Sequence, residues 1–69
     1  MSSDRLHNRL KEFRTQQGLT QADLAEKAGV SRKTINTVEN GVFIPSTILA
    51  LTLASVLGTR VEDLFQLPE

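Results

Sequence analysis

Arg32, Lys33, Asn36 and Thr37 place two cations, an amide and a hydroxyl within a short stretch of chain. Side chains of these types hydrogen-bond to the edges of bases in a DNA major groove. Arg and Lys donate to guanine, Asn offers a donor and an acceptor together, and Thr offers either. Such chemistry needs the four on one outward face, and the residues between them supply it. Ile35 and Val38 stand three apart and point inward, which leaves the polar set outside. Ser31 ahead of them offers an oxygen to cap a helix start, and Asn40-Gly41 is a stop signal. Residues Gln21 to Gly41 carry most of what the sequence says about function.

The preceding residues form the element that must brace that helix. Leu24, Ala25 and Ala28 share one face of a predicted helix over about Gln21 to Ala28, and Gly29 breaks the pattern. Thr20 begins a T-x-x-D variant of the capping box with Asp23. Ala25 is small where two helices cross closely. Two short helices joined by a Gly-containing turn, the second with a basic and amide-rich outer face, read as a helix-turn-helix over residues 21–41.

The remaining elements are also helical by pattern. A first helix is expected from about Arg5 to Gln17, ending at Gly18, with Leu6, Leu10, Phe13 and Gln17 along its inner stripe. Val42 to Pro45 is expected to be extended, because Ile44 precedes a proline. Ser46 caps a fourth helix, Thr47 to Leu57, that stops at Gly58. Thr59-x-x-Glu62 has the form of a capping box for a last helix over roughly Val61 to Phe65. No strand pattern of useful length lies between them, so the expected fold is all-α with five helices. The tail, residues 66–69, is expected to fray or to pair with a partner.

Composition narrows the function classes. At 69 residues the expectation is one domain, 1–69, with a small core that oligomerisation would help to stabilise. There is no Cys and a single His, His7, which reads as a solvated side chain on the first helix and not as a metal ligand. No cofactor is expected. The opening MSSDRLHNRL lacks the apolar core of a secretory signal, and Ile48 to Leu57 is too short to span a bilayer. A cytoplasmic, nucleoid-accessible protein is the expectation. Eight Lys+Arg balance eight Asp+Glu, which by itself opposes phosphate binding. The distribution favours it: Arg5, Arg9, Lys11 and Arg14 gather in the first helix and Arg32 and Lys33 in the third, while Glu62, Asp63 and Glu69 load the other end.

The apolar positions Leu24, Ala28, Val30, Ile35 and Val38, with Thr20-Gln21 before them and Glu39-Asn40-Gly41 after, resemble the phage-repressor and Cro-like helix-turn-helix family (XRE type). Arg14 and the Pro45-Ser46, Ala50-Leu51, Leu53-Ala54, Leu57-Gly58 and Leu64-Phe65 pairs extend the resemblance over about Leu6 to Leu67. It implies a compact, lambda-repressor-like five-helix domain that binds double-stranded DNA. It further implies that Gln21 meets a phosphate, aided by backbone N–H groups at its helix start, and that Arg32, Lys33, Thr34 and Thr37 reach bases or nearby phosphates. Ser31 caps and also lies where phosphate passes. Asn36 fits the groove and the rim equally well. Asn40 matches a phosphate-approaching position, although a stop signal alone would explain it. Arg14 and Glu39 stand where the family forms a partly buried ion pair, which sets a helix angle more than it adds stability.

Departures from the family pattern fall in the fourth helix and just after it. Ile48 is apolar where relatives are commonly polar, Thr47 the reverse, and Thr59 replaces a frequent apolar residue. Ile48, Leu49, Leu51, Leu53, Val56 and Leu57 surround most of the fourth helix, so a second face is expected to be covered. Ile48, Phe65 and Leu67 are the expected homodimer surface, which in the family matches a palindromic operator. The expected function is a transcriptional regulator, a repressor that works by occupying its operator. The rival is an antitoxin-type module whose first ligand is a partner protein. An enzyme is not expected, because there is no Cys, no Tyr, a single His, and no Gly-rich phosphate loop or carboxylate constellation.

Overall fold

The fold is set by where each helix can be stopped and how its loose ends are satisfied. The computed structural model describes residues 6–68. The expectations placed on residues 1–5, including Arg5 as a helix start and phosphate partner, and on Glu69 as part of the acidic end, lie outside the described residues. In order the elements are β1 (His7–Asn8), α1 (Leu10–Gln16), α2 (Gln21–Ala28), α3 (Arg32–Glu39), α4 (Thr47–Val56), α5 (Val61–Leu64) and β2 (Phe65–Gln66).

Three helices begin on the caps that the sequence offers. Thr20 and Asp23 form a reciprocal box: Asp23 N donates to Thr20 Oγ1 and Thr20 N donates to Asp23 Oδ2, each at 3.0 Å. Ser31 Oγ accepts from Thr34 N, and Ser46 Oγ from Leu49 N, both at 3.1 Å. Each cap satisfies a donor that the helix geometry would otherwise leave open. Between α2 and α3 the chain reverses through Gly29 at φ 74°. A Cβ there would meet no neighbour, so the turn requires glycine for its left-handed backbone and not for space.

Two expected helix starts are corrected. The first helix starts at Leu10. His7 and Asn8 are extended and pair antiparallel with Gln66 and Phe65. Asn8 also turns its side chain to both neighbours, its Oδ1 accepting from Leu10 N at 2.9 Å and its Nδ2 donating to Val38 O at 2.6 Å. Arg9 N donates to Leu64 O. From His7 to Arg9 the chain is therefore anchored outside a helix, and Leu6 and exposed His7 are not on α1. The second correction concerns α5. Thr59 N still donates to Ala54 O, closing α4 in a Schellman arrangement with Gly58. The Thr59 N–H is thus not free to complete a capping box with Glu62, and its hydroxyl is a donor where a cap must accept. Arg60 takes that place, and Asp63, not Glu62, accepts from Thr59 Oγ1 at 2.9 Å and from Arg60 N at 3.3 Å.

Leu10, Leu24, Ile35, Val38, Leu53 and Leu64 are completely buried, one or two from every helix. At about 25 cal/mol per Å² of apolar area removed from water, this small core is the main stabilising term. Gln17, expected on the inner stripe of α1, lies past its end and ties the bundle differently, donating from Nε2 to Leu57 O at 2.6 Å.

The capping carboxylates give the fold an acid dependence. The Thr20 backbone N–H and then its hydroxyl hold the Asp23 carboxyl below its ordinary value. The Thr59 hydroxyl and then the Arg60 N–H do the same for Asp63. The folded pKa of each lies below the unfolded one, so in acid the unfolded chain binds more protons and gains on the folded chain. The stabilisation is complete above the ordinary carboxylate range and disappears as pH falls through the lowered values. The melting temperature is expected to decline across that window, and less so in Asp23→Asn and Asp63→Asn. Identical profiles for wild type and both variants would show that the two caps contribute nothing.

Candidate nucleic-acid interface

Helix α3 has two unlike sides. Ile35 and Val38 are 0% exposed, whereas Arg32, Lys33, Asn36 and Asn40 are exposed and Thr34, Thr37 and Glu39 half-buried. Ser31 is exposed at the helix start. The inner pair locks α3 against α2, with Leu24 and Ala25 buried on the facing side. The outer polar residues are thus carried on a rigid rod, which is the condition for placing side chains against a fixed lattice of bases.

Within this face the hydroxyls are partly committed. Thr37 Oγ1 donates back to the carbonyls of Lys33 and Thr34, each at 3.0 Å, so its remaining capacity is to accept. Ser31 Oγ and Thr34 Oγ1 lie 2.9 Å apart. Arg32 and Lys33 make no ion pair among the described residues, and their charges face solvent.

Behind the face lies a buried ion pair. Arg14 Nε donates to Glu39 Oε2 at 2.6 Å, Nη2 to Oε1 at 3.1 Å, and Nη1 to Leu19 O at 2.7 Å. The side chains are 9% and 2% exposed. Bidentate geometry with a further carbonyl satisfies most of what two buried ions lose on leaving water. This arrangement joins α1 to the end of α3 and to the start of the α2 approach. It also changes the reading of the charge distribution, because Arg14 is turned inward. Arg9 pairs with Glu12 at 2.9 Å and lies over the Phe13 ring; that bond holds the Glu12 carboxyl below its usual range. Lys11 remains exposed on α1.

The resemblance places Gln21 against a phosphate. Gln21 is half-buried, and its Nε2 donates to Glu39 Oε1 at 3.1 Å and to Asn36 Oδ1 at 3.2 Å. This bridge between α2 and α3 has no signal in the sequence, since the partners are fifteen and eighteen residues away. The expected dimer residues differ in exposure. Ile48 is 79% and Leu67 80% exposed, whereas Phe65 is half-buried in β2 and packs on the core. Exposed Val42, Phe43, Ile44 and Leu51 add further apolar surface. Ile48 lines an open groove with Lys33, Thr37, Val42 and Phe43.

A braced polar helix behind a glycine turn defines a DNA-binding helix-turn-helix protein, and the comparisons agree. The helix-turn-helix family model matches residues 10–64. An uncharacterised HTH-type transcriptional regulator of Methanocaldococcus jannaschii is 47% identical over 60 residues, covering 87% of this chain and 91% of its own. YgzD, an uncharacterised regulator of the same type from Bacillus subtilis, is 38% identical over 64 residues, covering 93% and 97%. Among solved structures, the restriction-modification controller protein C.AhdI of Aeromonas hydrophila superposes with a TM-score of 0.79 at 38% identity, covering 83% of this chain and 86% of that one. SinR, a master regulator for biofilm formation solved in complex with DNA, gives 0.74 at 31% identity, covering 78% and 87%. The chain belongs to the XRE-type helix-turn-helix family of transcriptional regulators, DNA-binding proteins and not enzymes. Among the described residues no helix is long and apolar enough to cross a membrane.

Proposed function

We propose that residues 1–69 act as one DNA-binding domain that occupies a palindromic operator as a homodimer and represses by occupancy. The observation that carries this reading is the outward Arg32, Lys33 and Asn36 on a helix whose opposite side is wholly buried. In it α3 enters the major groove. Arg32 and Lys33 reach base edges, with Thr34, Asn36 and Thr37 beside them. Ser31, Asn40 and the start of α2 at Gln21 approach phosphates. Repression by occupancy requires only binding, whereas activation requires a further contact with polymerase. The second copy meets the first through the exposed apolar surface at Ile48 and Leu67, with the half-buried Phe65 at its edge.

The test is binding of Arg32→Ala and Lys33→Ala to duplexes selected from a random pool. A bidentate base contact is worth about 1–3 kcal/mol of discrimination, so each loss should relax preference at one base position. A change that weakens binding equally on all sequences would reassign that residue to phosphate. Affinity should also fall with salt by about −0.9 in log K against log salt for each phosphate neutralised. Binding unaffected by both substitutions, or a flat salt dependence, would remove α3 from the groove and favour a protein ligand.

A further inference from the structure

Glu39 is an acceptor-only group that Arg14 holds in place, and this fixes the polarity of two amides in front of it. Three Arg14 bonds, two to Glu39 and one to Leu19 O, leave neither carboxylate oxygen free to swing. Gln21 Nε2 lies 3.1 Å from Glu39 Oε1. The reversed amide would set a carbonyl oxygen against a carboxylate oxygen, so only the donating orientation is stable. The same Nε2 meets Asn36 Oδ1 at 3.2 Å, and Asn40 Nδ2 approaches that oxygen at 3.4 Å. Asn36 Oδ1 therefore faces the protein, accepting from Gln21 Nε2 with the longer Asn40 contact beside it. Its Nδ2 has no acceptor among the described residues and sits on the exposed side of α3.

We propose that the chain of bonds from Arg14 through Glu39 and Gln21 makes Asn36 a donor-only reader of DNA, selecting guanine or thymine at its base position. Asparagine with both groups free pairs with adenine, donating to N7 and accepting from N6. Here the accepting half is consumed internally. Two outward N–H groups suit guanine O6 and N7, or thymine O4. They oppose the N4 donors of cytosine and leave adenine's N6 donors without a partner. Arg14, Glu39 and Gln21 are positioning residues: they set which base is read without touching it. Gln21 is left with an outward acceptor, which phosphate oxygens repel, so phosphate contact at the start of α2 falls to its backbone N–H groups. The inference rests on the reading of α3 as the groove helix.

The test is selection from a random duplex pool with the full chain as wild type, Asn36→Ala, Gln21→Met and Glu39→Gln. Asn36→Ala locates the position, because preference there alone should vanish. At that position the wild type should favour guanine or thymine over adenine and cytosine by about tenfold, the size of one good base contact. Gln21→Met keeps the ion pair and frees Asn36 to turn, so adenine should rise to rank with guanine. Glu39→Gln should do the same by letting Gln21 reverse; if that variant does not fold, Gln21→Met alone decides. A merely structural Gln21 would lower affinity evenly over all sequences. A wild-type preference for adenine or cytosine there, or a guanine or thymine preference that survives Gln21→Met, would overturn the proposal. If Asn36→Ala alters no position while Arg32→Ala does, the proposal fails with the groove assignment intact. If no sequence is enriched at all, the proposed function fails and takes this inference with it.

Discussion

Arg14→Leu is expected to lower the folding stability by about 3–5 kcal/mol, the usual cost of leaving one partner of a buried ion pair uncompensated. The stranded group is Glu39, whose side chain is 2% exposed and would keep only the Gln21 amide as a donor. A domain of this size has about 3–10 kcal/mol in total, at roughly 0.05–0.15 kcal/mol per residue. The variant should therefore lose between about a third and all of its stability at room temperature. Urea titration measures it: the midpoint should collapse with the slope unchanged where a folded baseline survives. The double variant Arg14→Leu, Glu39→Leu should recover much of the loss, because removing both charges removes the desolvation cost that neither can then repay. A single-variant cost under about 1 kcal/mol would equate the pair with an ordinary exposed one.

Ile48→Asp is expected to abolish dimerisation and leave the fold intact. Ile48 is 79% exposed, so the monomer loses almost nothing from the change. In a two-fold interface the substitution occurs twice and brings like charges together. Sedimentation should then give a folded monomer with unchanged helical circular dichroism. Occupancy of a two-half-site operator should weaken by about 10²–10⁴-fold, the gain that linked binding supplies. Unfolding of the variant would assign Ile48 to the core, against its exposure. A variant that is still dimeric would move the interface, with Leu51 and the Val42–Phe43–Ile44 segment as the remaining exposed apolar surface.

What could be read from the sequence was what local chemistry decides. The spans expected for α2 and α3, Gln21 to Ala28 and from just after Ser31 to Glu39, match those observed, because Thr20, Ser31, Gly29 and Gly41 act on their immediate neighbours. Errors came where a distant partner overrides a local pattern. Leu6 has helical spacing to Leu10, yet the Phe65–Gln66 backbone claims the residues between them. Thr59 and Glu62 have capping-box spacing, yet the end of α4 still holds Thr59 N. At the candidate site, residue types and the outward face of α3 were legible from the period of Ile35 and Val38. The orientation of Gln21 was not, because its amide answers to a carboxylate placed by α1. Arg14 was legible only through family resemblance; by composition it counted as one more cation available to phosphate.

The two-residue ribbon of β1 and β2 sets the two ends of the helical bundle side by side. In chain terms the domain is a nearly closed ring, fastened by the His7–Gln66 and Asn8–Phe65 pairings and by the Arg9 N to Leu64 O bond. The entropy of closing so long a loop grows only with the logarithm of its length, so a few bonds can hold it. A tension applied at the two ends would load this clasp first and reach α2 and α3 only after it opened. The same adjacency suits the domain to insertion as a unit within another protein, since entry and exit points that lie together need no spacer to span the fold.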